Sequence, residues 1–270
     1  MNFKKFIIAY QRDQHIGLIN VFFSKVGLNF RIKNSIQKRI KLLEKELKNI
    51  SKKIVMNGCY SGMKLTENYK WNDYDYCSKV LGLYEKEVQQ KLAEFTSDYF
   101  VNLGCAEGYH LLGQIFSKKK KIAIGFESNN SFIEVLKKSA DENCISERLQ
   151  LFGKADDNFV DFLIKKKIDL NNSCFLIDIE GDEFSILNKE NLDKLKKSRL
   201  IIEFHPTKDE KKNVEFLTSL RFYFNLEILK TSERDLSVYN KLKNFSDIDR
   251  WLMVSENRPN LMNWIVCTPK

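Results

Sequence analysis

Three prolines and eleven glycines in 270 residues leave little room for flexible linkers or low-complexity tracts, and no internal repeat is visible. No uninterrupted apolar run approaches the ~18 residues of a membrane span. The six cysteines, Cys59, Cys77, Cys105, Cys144, Cys174 and Cys267, contain no C-x-x-C pair and no zinc-like spacing. That argues against a thiolate metal site and a disulfide framework, and favours reduced, mostly buried thiols. The segment Met1–Tyr10 is basic and apolar, but its apolar core is too short for a signal peptide and no small-residue cleavage site follows. A cytoplasmic protein is expected, with peripheral contact at the inner face of the membrane as an option for its basic N-terminus.

What is present is unevenly distributed. Residues 1–55 carry 13 Lys/Arg and 3 Asp/Glu, a net of +10, and the remainder carries 32 and 33, a net of −1. The basic character is therefore an N-terminal property. Ile36, Ile40, Leu43, Leu47, Ile50 and Ile54 recur at spacings of four and three, one apolar stripe along a helix. Lys38, Arg39, Lys41, Lys45, Lys48, Lys52 and Lys53 cover its other faces. Such a helix docks on the rest of the chain, pairs with a second subunit in a homodimer, lies on an anionic membrane, or contacts nucleic acid. The stripe is too short for a free-standing coiled coil. His15, in the weakly patterned beginning, reads as structural.

From residue 56 onward the pattern alternates. The turn-rich segment Gly58–Lys64 and the aromatic stretch Tyr69–Tyr76 come first, then an amphipathic helix over 80–95. Strands are expected at 99–103, 121–126, 148–152, 174–179 and 199–204, with helices near 109–117, 130–141, 156–166, 182–197 and 208–219. This alternation predicts an α/β fold, a Rossmann-like mostly parallel sheet with helices on both faces. Strands at 222–229 and 264–267 would add a terminal antiparallel hairpin. Two parts follow: a basic, mainly helical extension over 1–55 and an α/β domain over 56–270.

The chain is organised around Tyr99–His110, a strand running into Gly104-Cys105-Ala106-Glu107-Gly108 and then a helix. Glycines permit the tight turn and the close approach of a ligand to backbone N–H groups at a helix N-terminus. The next strand ends in Glu127, 23 positions after Gly104, near the ~20-residue offset at which a carboxylate meets ribose hydroxyls. A nucleoside cofactor is expected. Two later strands end in acid-x-acid, Asp178 and Glu180, and in acid-x-His, Glu203 and His205. If those strands are neighbours, four ionisable groups converge at the carboxyl edge, where open α/β sheets bind ligands. His205 could act as general base, oriented by Glu203 or Glu180. Alternatively Asp178, Glu203 and His205 could hold Mg2+ or Mn2+, lowering a hydroxyl's pKa. Asp156 and Asp157 either accept from an adenine amine or cap the following helix; Asp182 reads as a helix cap. His110 faces the site or sits in the first turn of its helix.

In this order, Val101–Tyr109, Gly125–Ser128, Leu176–Glu183 and Ile202–His205 resemble the FkbM-like methyltransferases, a branch of the class I S-adenosylmethionine-dependent enzymes. Gly58–Lys64, Leu81–Glu87 and the tail Glu256–Trp264 look like further parts of that family, so the resemblance covers roughly residues 56–270. It implies methyl transfer to oxygen, often a sugar or polyketide hydroxyl, and in bacteria frequently within surface-polysaccharide pathways. Carried over, Gly104, Cys105, Ala106, Glu107 and Gly108 would cradle the methionine part of the cofactor and Glu127 would hold its ribose. Asp156 would approach the adenine, and Asp178 and Glu180 would face cofactor and acceptor. The chain departs from the family at Asn102, where an acid is usual. Asn accepts a hydrogen bond but lacks the charge that favours the cofactor's cationic groups. The acceptor is expected to be a glycan or small molecule. Nucleic acid is disfavoured, since neither Asn-Pro-Pro-Tyr nor Pro-Cys occurs. A nicotinamide dehydrogenase is disfavoured by the G-x-x-x-G spacing, and a non-catalytic cofactor-binding or assembly protein is the other alternative.

Overall fold

The computed structural model describes residues 35–66, 74–256, 258 and 262–270, together with Ile19 and Phe22. The expectations for Met1–Tyr10, for His15, for Tyr69 to Asp73 of the aromatic stretch, and for Asn257 and Pro259–Leu261 of the tail fall outside those residues.

Seven strands form one sheet: β1 (Tyr99–Leu103), β2 (Ile122–Phe126), β3 (Leu149–Phe152), β4 (Ser173–Ile177), β5 (Arg199–Glu203), β6 (Phe224–Leu229) and β7 (Trp264–Pro269). Their order across the sheet is β3-β2-β1-β4-β5-β7-β6. The first five are mutually parallel, and β7 runs antiparallel between β5 and β6. This order, with its reversed last strand, is the Rossmann-like class I methyltransferase fold, and the terminal antiparallel pair is part of it. The chain leaves β1 for β2 on one side and returns to β4 on the other. The carboxyl ends of β1 and β4 therefore flank a topological switch point.

Alternation along the strands divides the core into two layers. Phe100, Cys174, Leu176, Ile201 and Val266 face one layer, and Val101, Leu103, Phe175, Ile177, Leu200 and Ile202 the other. Glu203 shares a face with Ile201, so a buried carboxylate ends that side of β5.

The helices are α1 (Ser35–Ser51), α2 (Tyr76–Leu81), α3 (Lys86–Glu94), α4 (Tyr109–Phe116), α5 (Asn130–Glu142), α6 (Phe159–Lys165), α7 (Glu183–Ile186), α8 (Lys189–Leu195), α9 (Glu210–Tyr223) and α10 (Asp247–Val254). Two single helices expected from periodicity are broken. The 80–95 stretch is interrupted because Gly82 ends α2 at φ 76°, where an added Cβ would lie 1.9 Å from the carbonyl oxygen of Asn57. The 182–197 stretch divides because Asn188 is extended and its side chain caps α8. Strand β4 stops at Ile177, short of the expected 179, and β6 starts at Phe224 because Tyr223 completes α9.

Helix α1 docks against α2 and α10. Leu43 and Leu47 are fully buried, each contributing about 2 kcal/mol by area removed from water. Ile36 and Ile54, at the ends of the stripe, stay exposed. Part of the basic face is used internally. Arg39 donates through Nε and Nη2 to the two carboxylate oxygens of Asp249, both at 2.7 Å, and the Lys48 ammonium lies 4.5 Å from the Tyr76 ring centroid. Hydrogen bonds from Arg39 and then Ser246 hold the Asp249 carboxyl down at about 2. A lowered folded value means the contribution is complete above the ordinary ~3.9 and disappears as pH falls toward about 2. The stability difference between wild type and Arg39→Ala, read from urea midpoints, is therefore expected to shrink across that window.

Candidate active site at the carboxyl edge of the sheet

Beyond Leu103 the chain makes a turn that only small residues allow. Gly104, Ala106 and Gly108 all have positive φ, 76°, 46° and 87°. A Cβ on Gly104 would lie 1.7 Å from the carbonyl oxygen of Asp178, and one on Gly108 would lie 2.0 Å from Leu136 Cδ2. The N–H groups of Gly104 and Cys105 donate to the Phe126 carbonyl at 2.9 and 3.2 Å, and that of Gly108 donates to the Cys105 carbonyl at 2.8 Å. Ala106 N–H donates to Glu127 Oε2 at 2.7 Å. Contrary to the expectation that these groups face a ligand, four of the turn's N–H groups bond within the protein. What the turn presents outward is the half-exposed backbone of Gly104 and Ala106.

Glu127 closes the turn from the end of β2. Its Oε1 also accepts from Asn129 N–H at 2.8 Å. The Ser128 hydroxyl donates to the same oxygen at 3.4 Å, so of the about four acceptor positions of an ionised carboxylate one remains for a ligand hydroxyl. Asp156, exposed in the loop after β3, accepts from Asn158 N–H at 2.9 Å, a local turn-capping role. Asn102 is buried and donates to the Leu176 carbonyl at 3.2 Å, tying β1 to β4.

Glu107 turns the other way. Its buried side chain pairs beneath the turn with Lys79, leaving only backbone for the cradle. Lys79 also donates to Asp75 at 2.8 Å and lies 4.6 Å from the Tyr84 ring centroid. Burial opposes charge on Lys79, but Asp75 and Glu107 outweigh it and raise its pKa above the ordinary value.

The second half of the site lies at the ends of β4 and β5. These strands are adjacent and parallel, with Ile177 opposite Ile202, so Asp178 emerges beside Glu203. Asp178 N–H donates to the Leu103 carbonyl at 3.0 Å, which fixes it next to the glycine turn. The strand has already ended there, and Glu180 sits beyond it at φ 56° with a 70% exposed side chain. His205 Nε2 lies 3.9 Å from Asp178 Oδ1, 3.8 Å from Glu180 Oε2 and 3.9 Å from Glu203 Oε2. Its Nδ1 is 3.1 Å from Glu183 Oε1, which also accepts from Ile179 N–H at 3.0 Å. The four expected residues converge, with the buried Glu183 as an unforeseen fifth. Asp182, expected as a cap, pairs with Lys154 at 2.6 Å and makes no side-chain cap bond.

Electrostatics follow from this crowding. Burial, then the Glu203 charge, pushes the Asp178 carboxyl well above its usual range. Burial, then Glu85, raises Glu203. Burial opposes charge on His205, but Glu183 and the neighbouring acids outweigh it and raise its pKa.

Arg258 bridges from the tail, donating to Glu203 Oε1 and Glu256 Oε2 at 2.8 Å each and pairing with Glu85. Glu85 Oε2 lies 2.7 Å from His110 Nε2, and His110 Nδ1 is 3.1 Å from the Tyr60 hydroxyl. His110 is thus a buried first-turn residue of α4, linked to the cluster only through Glu85 and Arg258. No motif in the sequence singles out Lys79, Glu85, Glu183 or Arg258; the resemblance marks Leu81–Glu87, Leu176–Glu183 and the tail only as segments.

No family model matches the chain, and no curated protein matches it. Among solved structures, the chain is similar to an uncharacterized protein from Listeria monocytogenes serotype 4b, at 16% identity over 67% of this chain and 66% of that one, TM-score 0.43. It is similar to the M1A22 tRNA methyltransferase TrmK of B. subtilis, at 14% identity over 67% and 64%, TM-score 0.42. It thus spans slightly less than two thirds of the length of both. An O-methyltransferase from Bacillus cereus in complex with SAH gives 8% identity over 93% of this chain and 97% of that one, TM-score 0.46. Among the described residues no helix is long and apolar enough to cross a membrane, and none of the six cysteines is in a disulfide.

Proposed function

We propose that the protein is an S-adenosylmethionine-dependent O-methyltransferase of the FkbM type, acting in the cytoplasm on a hydroxyl of a sugar in a bacterial surface polysaccharide or its precursor. One observation carries this reading. The backbone of the glycine turn lies against Asp178, so a carboxylate–histidine cluster stands directly beside the position that the cofactor would occupy.

The residues fit such a cofactor. Glu127 retains an acceptor position for a ribose hydroxyl, and the half-exposed Gly104 and Ala106 let a ligand approach the backbone closely. When bound, S-adenosylmethionine supplies an already activated methyl group. The chain's own task is then to align the acceptor oxygen and take up its proton. Asp178, Glu180, Glu203 and His205 face the same edge and are suited to that. His205 is held by Glu183 through Nδ1, which leaves Nε2 directed toward the acids.

Radiolabelled methyl transfer from the donor to nucleotide sugars and cell-surface glycans tests the reading. Glu127→Ala is expected to weaken donor binding at least 10-fold, because it removes both the ribose acceptor and the anchor of Ala106 N–H. Transfer to tRNA rather than to any glycan would contradict the acceptor assignment.

A further inference from the structure

We infer that Asp178, Glu203 and His205 form a binding site for one divalent first-row cation of the Mn2+ type. Only the cation's role in acceptor binding rests on the methyl-transfer reading; the site itself rests on geometry.

One ligand atom from each of these residues lies within 4.8 Å of the other two. The separations of His205 Nε2 from the carboxylate oxygens of Asp178, Glu180 and Glu203, 3.8 to 3.9 Å, are too long for hydrogen bonds. They match what two bonds of about 2.1 Å to a common ion would span at an open angle. Asp178 and Glu203 touch each other through their carboxyl groups, and both present an oxygen to His205 Nε2 at a distance too long for a hydrogen bond.

The surroundings select the same arrangement. Glu183, buried and itself fixed by Ile179 N–H, takes the Nδ1 side of His205, so Nε2 is the ring nitrogen left for an ion to bind once it displaces the ring's second proton. A carboxylate behind a metal-binding imidazole orients the ring and raises its basicity. Asp178 Oδ1 is enclosed by protein and makes no hydrogen bond. Arg258 occupies Oε1 of Glu203 and leaves Oε2 on the His205 side. One imidazole with a buried acid, a partly buried one and no thiolate suits Mn2+ better than Mg2+, which prefers oxygen and water. Glu180, exposed at the rim, is placed to close over the ion as an outer ligand.

The test is titration of MnCl2 into the untagged full-length protein without methyl donor, followed by the paramagnetic resonance signal of free Mn2+. One equivalent per chain is expected. His205→Ala and Asp178→Asn should weaken it at least 10-fold, and the isosteric Glu183→Gln about 10-fold, with circular dichroism confirming that each variant is folded. Absence of saturable binding by wild type, or equal affinity in all three folded variants, overturns the site. Donor titration on the same preparation separates the two readings. Donor binding without Mn2+ binding overturns the cation site alone, and Mn2+ binding without donor binding overturns the methyltransferase assignment alone.

Discussion

Gly104→Ala is expected to destabilise the protein by about 2–6 kcal/mol and to abolish donor binding in whatever fraction stays folded. Two costs act together. The residue has φ 76°, which a side chain disfavours, and its Cβ would lie 1.7 Å from the Asp178 carbonyl oxygen. Neither atom can step aside, since Asp178 N–H is bonded to the Leu103 carbonyl and Gly104 N–H to the Phe126 carbonyl. The strain must open the turn between β1 and β4, where the cofactor would lie. Gly153→Ala is the control: nothing lies within 4 Å of its Cβ, and the change should be nearly neutral. Urea denaturation with donor calorimetry reads both. A Gly104→Ala protein of wild-type stability would show that the turn is not packed as described.

The second large effect concerns Lys79. Lys79→Met should cost about 3–5 kcal/mol, because two buried carboxylates, Asp75 and Glu107, lose the cation between them. The double variant Lys79→Met/Glu107→Gln should recover part of that loss, since one of the stranded charges is removed with its partner. Urea midpoints of the single and double variants decide. If both lose the same stability, the Lys79–Glu107 pair is not the coupling that fixes the turn from below. The consequence for the site is direct: Glu107 lies between Ala106 and Gly108, so its anchor sets the path of the loop.

The sheet was legible because buried parallel strands read as short apolar runs, and the expected boundaries of β1 and β2 agree with the structure to within a residue. The helix breaks were not, because their causes are contacts across the chain. Gly82 is required by Asn57, and periodicity alone does not record that neighbour. The site divides the same way. Acids at two consecutive strand ends were visible as a pattern, and the adjacency of β4 and β5 brings them together. Charge partners distant in sequence were not visible. Arg258 reaches Glu85 from 173 positions away, and Glu183 looks like an ordinary first-turn helix acid until His205 is placed against it. Glu107 was assigned to the cofactor by its position in the turn, whereas its side chain faces Lys79 beneath it. For α1, the stripe of Leu43 and Leu47 predicted an apolar contact but not which surface supplies it; α2 and α10 do.

The most direct measurement is calorimetric titration of the purified protein with S-adenosylmethionine and, separately, with NAD. The account predicts saturable binding of the methyl donor with one site per chain, lost in Glu127→Ala, and no binding of NAD. Saturable NAD binding with none of the methyl donor would contradict it and move the glycine turn to a dehydrogenase. Binding of neither would leave the fold in the service of an assembly role.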